Sequence, residues 1–160
     1  MKRLLLPLLA ALALPAAVNA EATYLTCDLN EKRSNNEAGK AQIVGRNIEV
    51  VPNPNSKFSD WGKMENSIVQ FTLNEASQTG SVFFSNTGST QKIDLITFQP
   101  ESIVISNSSG GYQSYKKNTD TFSISRLDGT VFREYSLLGG SMILEYRGAC
   151  KKSEPKKTLF

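Results

Sequence analysis

From residue 21 onward the apolar residues of this chain return at every second position, and those that return are Ile, Val, Phe and Tyr. A spacing of two, rather than three or four, places apolar side chains on one face of an extended strand. In "SIVQFTL", Val69, Phe71 and Leu73 alternate with Ile68, Gln70 and Thr72, and in "TFSISR", Phe122 and Ile124 alternate with Thr121, Ser123 and Ser125. "SMILEYRG" sets Met142, Leu144 and Tyr146 against Ser141, Glu145 and Arg147, with only Ile143 crossing over. "QIVGRNIEVV", "SVFFS", "KIDLITF", "SIVIS", "GYQSYKK" and "VFREYS" continue the series, and no stretch after Ala20 carries a helical period. Asp128-Gly129 lies between two of these runs and predicts a hairpin with a type I′ turn, because both residues tolerate the positive φ such a turn needs. "QTGS", "FQPES" and "LLGGS" mark further turns.

The first twenty residues follow a different pattern. Lys2 and Arg3 precede an uncharged run of Leu, Ala and Pro over 4–14, and "PAAVNA" then supplies small residues. This is the three-part layout of a secretory signal peptide, with cleavage expected after Ala20. The apolar run falls short of the ~20 residues that span a bilayer, and no later stretch could cross one as a helix. The expected organisation is therefore a signal peptide over 1–20, one all-β domain over 21–150 and a basic, disordered tail over 151–160.

Export changes how the cysteines read. "TYLTCDL" and "EYRGACKK" hold the only two, Cys27 and Cys150, each continuing the apolar face of its strand. In an oxidising compartment an even count reads as a disulfide, and two cysteines allow one intramolecular pairing. A bridge between the first and last strands brings the two ends of a meander together. The expectation is a small antiparallel β-barrel of about eight to ten short strands, with a β-sandwich as the alternative.

Charge narrows the partners. The formal net charge of +3 suggests an anionic partner. Setting aside Lys2, Arg3 and the tail "KKSEPKKTLF" leaves 12 basic against 14 acidic residues over 21–150. The body is close to neutral, so nucleic acid is not expected as a partner, and the tail lysines read as a solvated terminus.

The chain has no histidine. This excludes Ser-His-Asp and Cys-His catalysis and histidine-ligated metals, and a bridged cysteine cannot act as a thiolate. Ser114 and Lys116 form a nominal Ser–Lys pair, but at a spacing of two on a strand they share a solvated face, where the lysine keeps its proton. Asp94, Glu101, Asp120, Asp128, Glu134 and Glu145 are scattered beside turns or on outward positions. No catalytic residue, metal or cofactor is expected.

Two segments stand out as candidate binding elements. "VPNPNSKFSDWGKMEN" carries Phe58 and the only tryptophan, Trp61, in a stretch rich in Pro, Asn and Ser. Long loops in compact domains tend to be functional or disordered, and aromatics on one either present a binding face or fold back to plug the barrel. "SNSSGGYQSYKK" carries Tyr112, Tyr115 and Lys116.

The opening Y-x-x-C over 24–27, the run "FSISRLDG" and the closing "GAC" together resemble small exported bacterial proteins of unassigned role, in which a strand reading I-x-R-x-x-G is followed by a last strand ending in G-x-C. The resemblance covers the start and about thirty residues at the end of the chain, and implies a bacterial, periplasmic setting without an activity. The chain also resembles the periplasmic lysozyme-inhibitor barrels, which tie their ends with a disulfide and present a Ser/Gly-rich loop like "SNSSGGYQSYKK". The order of residues departs from the inhibitor motif, so no inhibitory residue is carried over. The expectation is a monomeric, non-enzymatic binding domain in the periplasm or outside the cell, meeting an unknown protein or envelope component through loops at one end. An inhibitor of the lysozyme-inhibitor kind and a lipocalin-like carrier of a small apolar ligand are the alternatives.

Overall fold

The computed structural model describes residues 21–110 and 117–154. Eleven strands are present among them: β1 (Thr23–Asn35), β2 (Gly39–Val44), β3 (Asn47–Pro52), β4 (Gly62–Asn74), β5 (Thr79–Phe84), β6 (Ser89–Lys92), β7 (Leu95–Phe98), β8 (Ser102–Ser109), β9 (Asn118–Ser125), β10 (Thr130–Leu137) and β11 (Met142–Lys152). Nine form one antiparallel sheet in the order β6-β5-β4-β1-β11-β10-β9-β8-β7, and β2 and β3 pair by themselves. The sheet curls into a small barrel whose first and last long strands, β1 and β11, are neighbours.

The period-two pattern explains the core. Leu25, Cys27 and Leu29 of β1, Val69, Phe71 and Leu73 of β4, Val82 and Phe84 of β5, Ile103 and Ile105 of β8, Phe122 and Ile124 of β9 and Val131 of β10 all point inward and are buried in one cluster. The Phe71 and Phe122 rings meet edge to face, with centroids 5.1 Å apart. That arrangement suits aromatic quadrupoles and fills the middle of the barrel.

Cys27 lies directly across the β1–β11 ladder from Cys150, and the two are joined by a disulfide. The expected link between first and last strands is therefore present. Its neighbours explain the glycines of the terminal motifs. A β-bulge interrupts β1 between Leu29 and Glu31, opposite Gly148. A Cβ on Gly148 would fall 1.9 Å from the Asp28 carbonyl oxygen, so only glycine lets the bulged strand come this close. Gly129 has φ +73° and donates its N–H to the Ser125 carbonyl, while Cys150 donates its N–H to the Gly129 carbonyl. The I-x-R-x-x-G and G-x-C pieces thus touch one another beside the bridge.

Local features differ from the sequence expectation in four places. The Asp128-Gly129 turn does join β9 to β10, but only Gly129 takes a positive φ, so it is a longer turn than type I′. "QIVGRNIEVV" is two strands, turned at Gly45 and Arg46 with Gly45 at φ +64°. "KIDLITF" is broken, because β6 bonds to β5 whereas β7 bonds to β8, the change falling at Ile93 and Asp94. Lys151 and Lys152, expected in the tail, instead continue β11 and pair with Thr26 and Leu25, and the Ser153 N–H donates to the Tyr24 carbonyl, while residues 155–160 lie outside the described residues.

Candidate functional site

The turns sort to two ends of the barrel. At one end Arg126 donates from both terminal nitrogens to the Glu75 carboxylate, each at 3.2 Å, and from Nη1 to the Gln99 carbonyl at 3.1 Å, fastening three turns together. The arginine of the I-x-R-x-x-G run is thus a clasp. The opposite end carries the β2–β3 hairpin, the segment 53–61, the turn 85–88, the end of β8 with the start of β9, and the 3-10 turn Leu138–Gly140. The segment with Phe58 and Trp61 and the two flanks of "GYQSYK" therefore belong to one end.

Phe58 and Trp61 are half-buried there, and neither plugs the barrel nor stands free. Arg33 and Glu145 face each other across β1 and β11 on the outer surface of the sheet, where they form an ion pair. The Arg33 guanidinium lies 4.5 Å from the Phe58 ring centre and 4.7 Å from that of Trp61, and Arg147 lies 3.8 Å from the Trp61 ring centre. Two arginines thus hold Trp61 through its π face. Asn35 and Ser34 at the end of β1 stitch the segment down: Asn35 Nδ2 donates to Ser56 Oγ, the Ser34 N–H to Ser59 Oγ and the Ser59 N–H to the Ser34 carbonyl. The segment is a patch laid over the outside of the sheet, and it shields Glu145. Tyr112, Tyr115 and Lys116 lie outside the described residues. The flank that follows them is tethered: the Leu138 N–H donates to Asn118 Oδ1 and the Gly139 N–H to the Lys117 carbonyl.

The hairpin is the most exposed feature of this end. Its base is held by bonds from Gly39 to Ser141 and from Asn53 to Ala38. Beyond the base, one face presents Ala41, Ile43, Ile48 and Val50, with Ile43 directly opposite Ile48. Ile43 is 82% exposed and Ile48 41%, so this apolar face lies open to water.

Inside the barrel at the same end, the lining turns polar, which the alternation of the sequence does not lead one to expect. Arg133 points inward between β9 and β11 and clasps Asp120 with two hydrogen bonds of 2.8 Å, from Nε and Nη2. Its guanidinium lies 5.0 to 5.5 Å from the ring centres of Phe84, Phe122, Tyr135 and Tyr146. Burial pushes the Tyr146 hydroxyl above its ordinary pKa. Asp120 is thus buried inside the barrel rather than outward, as its sequence position suggests. The signal is present: Arg133 shares parity with Val131 and Tyr135, and Asp120 with Phe122 and Ile124, so a cation and an anion each sit on an apolar face. Without the β9–β10 register nothing shows that they meet. Asn107, opposite Asp120 on β8, is also buried; its Oδ1 accepts from the Asp94 N–H, while its Nδ2 has no partner among the described residues.

No family model matches the chain, and no curated protein matches it. Among solved structures, a mutant of transferrin binding protein B from Actinobacillus pleuropneumoniae H49 aligns at 9% identity and a TM-score of 0.39, over 80% of this chain and 61% of that one. The isotype 1 transferrin binding protein B from serogroup B Neisseria meningitidis aligns at 11% identity and the same TM-score, over 86% of this chain and 27% of that one. This chain spans less than two thirds of either, and similarity at this level transfers no function.

Proposed function

We propose that this chain is an exported, non-enzymatic binding domain that holds a protein partner at the loop-bearing end of its barrel, with the β2–β3 hairpin as the contact arm. The observation that carries this is the open apolar face of the hairpin. Leaving Ile43, Ile48 and their neighbours in water forgoes ~25 cal/mol for every Å² a partner would cover. Clustered exposed aliphatics rimmed by polar residues mark interaction sites. Here Lys40, Arg46 and Glu49 provide the rim. The disulfide supports export, because such bridges persist in oxidising compartments. The carrier alternative is weaker, because Phe71, Phe122 and Ile105 fill the middle of the barrel.

The test is a photo-crosslinking residue placed at Ile43 in the cell that exports the chain, with a second placement at Thr97 on the far side of the barrel as control. A discrete adduct from position 43, absent from position 97 and abolished by Ile48→Glu, is the expected result. Equal labelling from both positions, or none from position 43, would refute the reading.

A further inference from the structure

The apolar face of the β2–β3 hairpin is bordered by an open strand edge, and the hydrogen bonds fix which groups that edge offers. The Asn53 N–H donates to the Ala38 carbonyl, so 38–53 is a directly bonded pair of the ladder, and 40–51, 42–49 and 44–47 follow at every second position. Lys40, Gln42 and Val44 therefore turn their backbone N–H and C=O groups toward β3, whereas Gly39, Ala41 and Ile43 turn theirs away. Gly39 gives its N–H to the Ser141 carbonyl. Ala41 and Ile43 have no backbone partner on that side among the described residues. We propose that a second copy of this chain covers this edge, its own β2 running antiparallel about a two-fold axis at Gln42, so that two hairpins join into one four-stranded sheet. The inference rests on the reading of the hairpin as a contact arm.

Register, charge and stability each select this occupant. The two open residues flank Gln42, so with Gln42 opposite its own copy, Ala41 meets Ile43 of the second copy and every outward donor and acceptor of both finds a partner. The pairing also ends where the open edge ends. Val44 of the second copy stands opposite Lys40, and its chain turns away at Gly45 before it reaches the contact of Gly39 with Ser141. Lys40 thus faces an aliphatic side chain rather than another lysine. The β3 edge is open in the same way at Ile48 and Val50, but its two-fold axis falls on Glu49 and would set like charges directly opposite, which is destabilising. Joining β2 of one copy to β3 of the next is heterologous and leaves an edge free at each end, whereas the β2 two-fold closes. A lone two-stranded hairpin is marginal in water, and three or more strands with an apolar face are needed for independent stability. Pairing supplies them, and it brings Ala41, Ile43, Ile48 and Val50 of both copies onto one continuous apolar face.

An interface of two short strands belongs to the small, transient class, so covalent trapping is the sensitive readout. Single cysteines placed on β2 of the disulfide-bonded chain, in a glutathione redox buffer, test the register. The Gln42 pair is of the non-bonded kind, with Cα atoms about 4.5 Å apart, within reach of a disulfide. Gln42→Cys should therefore be trapped as a covalent dimer. Lys40→Cys alone and Val44→Cys alone should stay monomeric, because equivalent positions then lie roughly 13 Å apart along the strands. A mixture of those two variants should crosslink, since 40 faces 44. Adding Ala41→Pro to Gln42→Cys removes one outward N–H and no bond of the hairpin, a place where an edge strand accepts proline. Trapping should then be lost while the Glu49 amide stays protected from exchange. If that amide opens, the crosslinking pattern carries the test by itself. No trapping at 42, equal trapping of all three single variants, or trapping that survives Ala41→Pro with Glu49 protected would overturn the dimer. The two readings of the arm separate cleanly. An adduct to another protein from position 43 without trapping at 42 keeps the partner and overturns the dimer, whereas trapping at 42 with no other protein at 43 supports the dimer and removes the partner.

Discussion

Gly148 and Asp128 show how much of the fold hangs on single atoms. Gly148 faces the β1 bulge so closely that a methyl group would meet the Asp28 carbonyl at 1.9 Å and the Leu29 Cα at 2.9 Å. Both are backbone, which cannot rotate away as a side chain could. Gly148→Ala should therefore destabilise by about 1–3 kcal/mol, the usual cost of overpacking. Urea unfolding measures it, and a loss under about 0.5 kcal/mol would mean that the ladder shifts freely at the bulge. Asp128 is a surface case. Hydrogen bonds from the Thr130 N–H, then from Ser125 and the Thr130 hydroxyl, hold its carboxyl at about 2, below its ordinary 3.8. A carboxyl depressed on folding stabilises the fold above its unfolded value and stops doing so as pH falls through its folded one. Acid should thus erode stability between pH 3.8 and about 2 more steeply in the natural chain than in Asp128→Asn. Parallel pH curves for the two would show that the turn does not depend on the charge.

At the scale of the element, the buried pair of β9 and β10 is where pattern and outcome part. Alternation identifies strands because burying one apolar face contributes more to their stability than anything else they do, and nearly all the inward residues of β4, β8 and β9 were legible on that basis. It says nothing of partners across the ladder. The parity that Asp120 shares with Phe122, and Arg133 with Val131, is in the sequence, but Asp120 reads there as one of the outward carboxylates and nothing pairs it with Arg133. The hairpin was hidden for the opposite reason. Its two strands read in the sequence as the single run "QIVGRNIEVV", because neither face is buried to fix a register and only Gly45 signals the turn. Phe58 and Trp61 were legible as special, but Arg33 and Arg147 come from strands whose outer face has no sequence signature for being covered. The pair makes a clean prediction. With side chains 14% and 12% exposed, removing one partner leaves the other charged and desolvated. Asp120→Ala should destabilise by about 3–5 kcal/mol, whereas Arg133→Met with Asp120→Leu should recover most of that loss. A double variant no more stable than Asp120→Ala would mean that the pair also organises the surrounding aromatic rings.

For the molecule as a whole, closure depends on the meeting of β1 with β11, the two strands furthest apart in sequence. Each inward residue of β1 meets β4 on one side, but reaches β11 on the other only after nearly the entire chain has been arranged, so that second ladder closes a loop whose entropy must be met before its contacts form. The disulfide lifts that cost by holding the ends together in the denatured state. Its cysteines are 123 positions apart, and a loop of that order is credited with about 4–5 kcal/mol. Since a domain is stable by only about 5–15 kcal/mol, the bridge is a large part of the margin. The seam at Ile93 adds little to offset its loss. There the edges meet through the bond from the Ile93 N–H to the Gly80 carbonyl, and β6 and β7 each pair on one side only. Replacing Cys27 and Cys150 together by Ala should lower the unfolding free energy by about 4–5 kcal/mol, read from the urea midpoint at constant slope. Refolding should slow far more than unfolding quickens, because the cost falls on the search. A loss near 1 kcal/mol instead would show that the unbridged chain already keeps its ends together, and a change confined to the unfolding rate would place the bridge's effect in the native state rather than in the ensemble it closes.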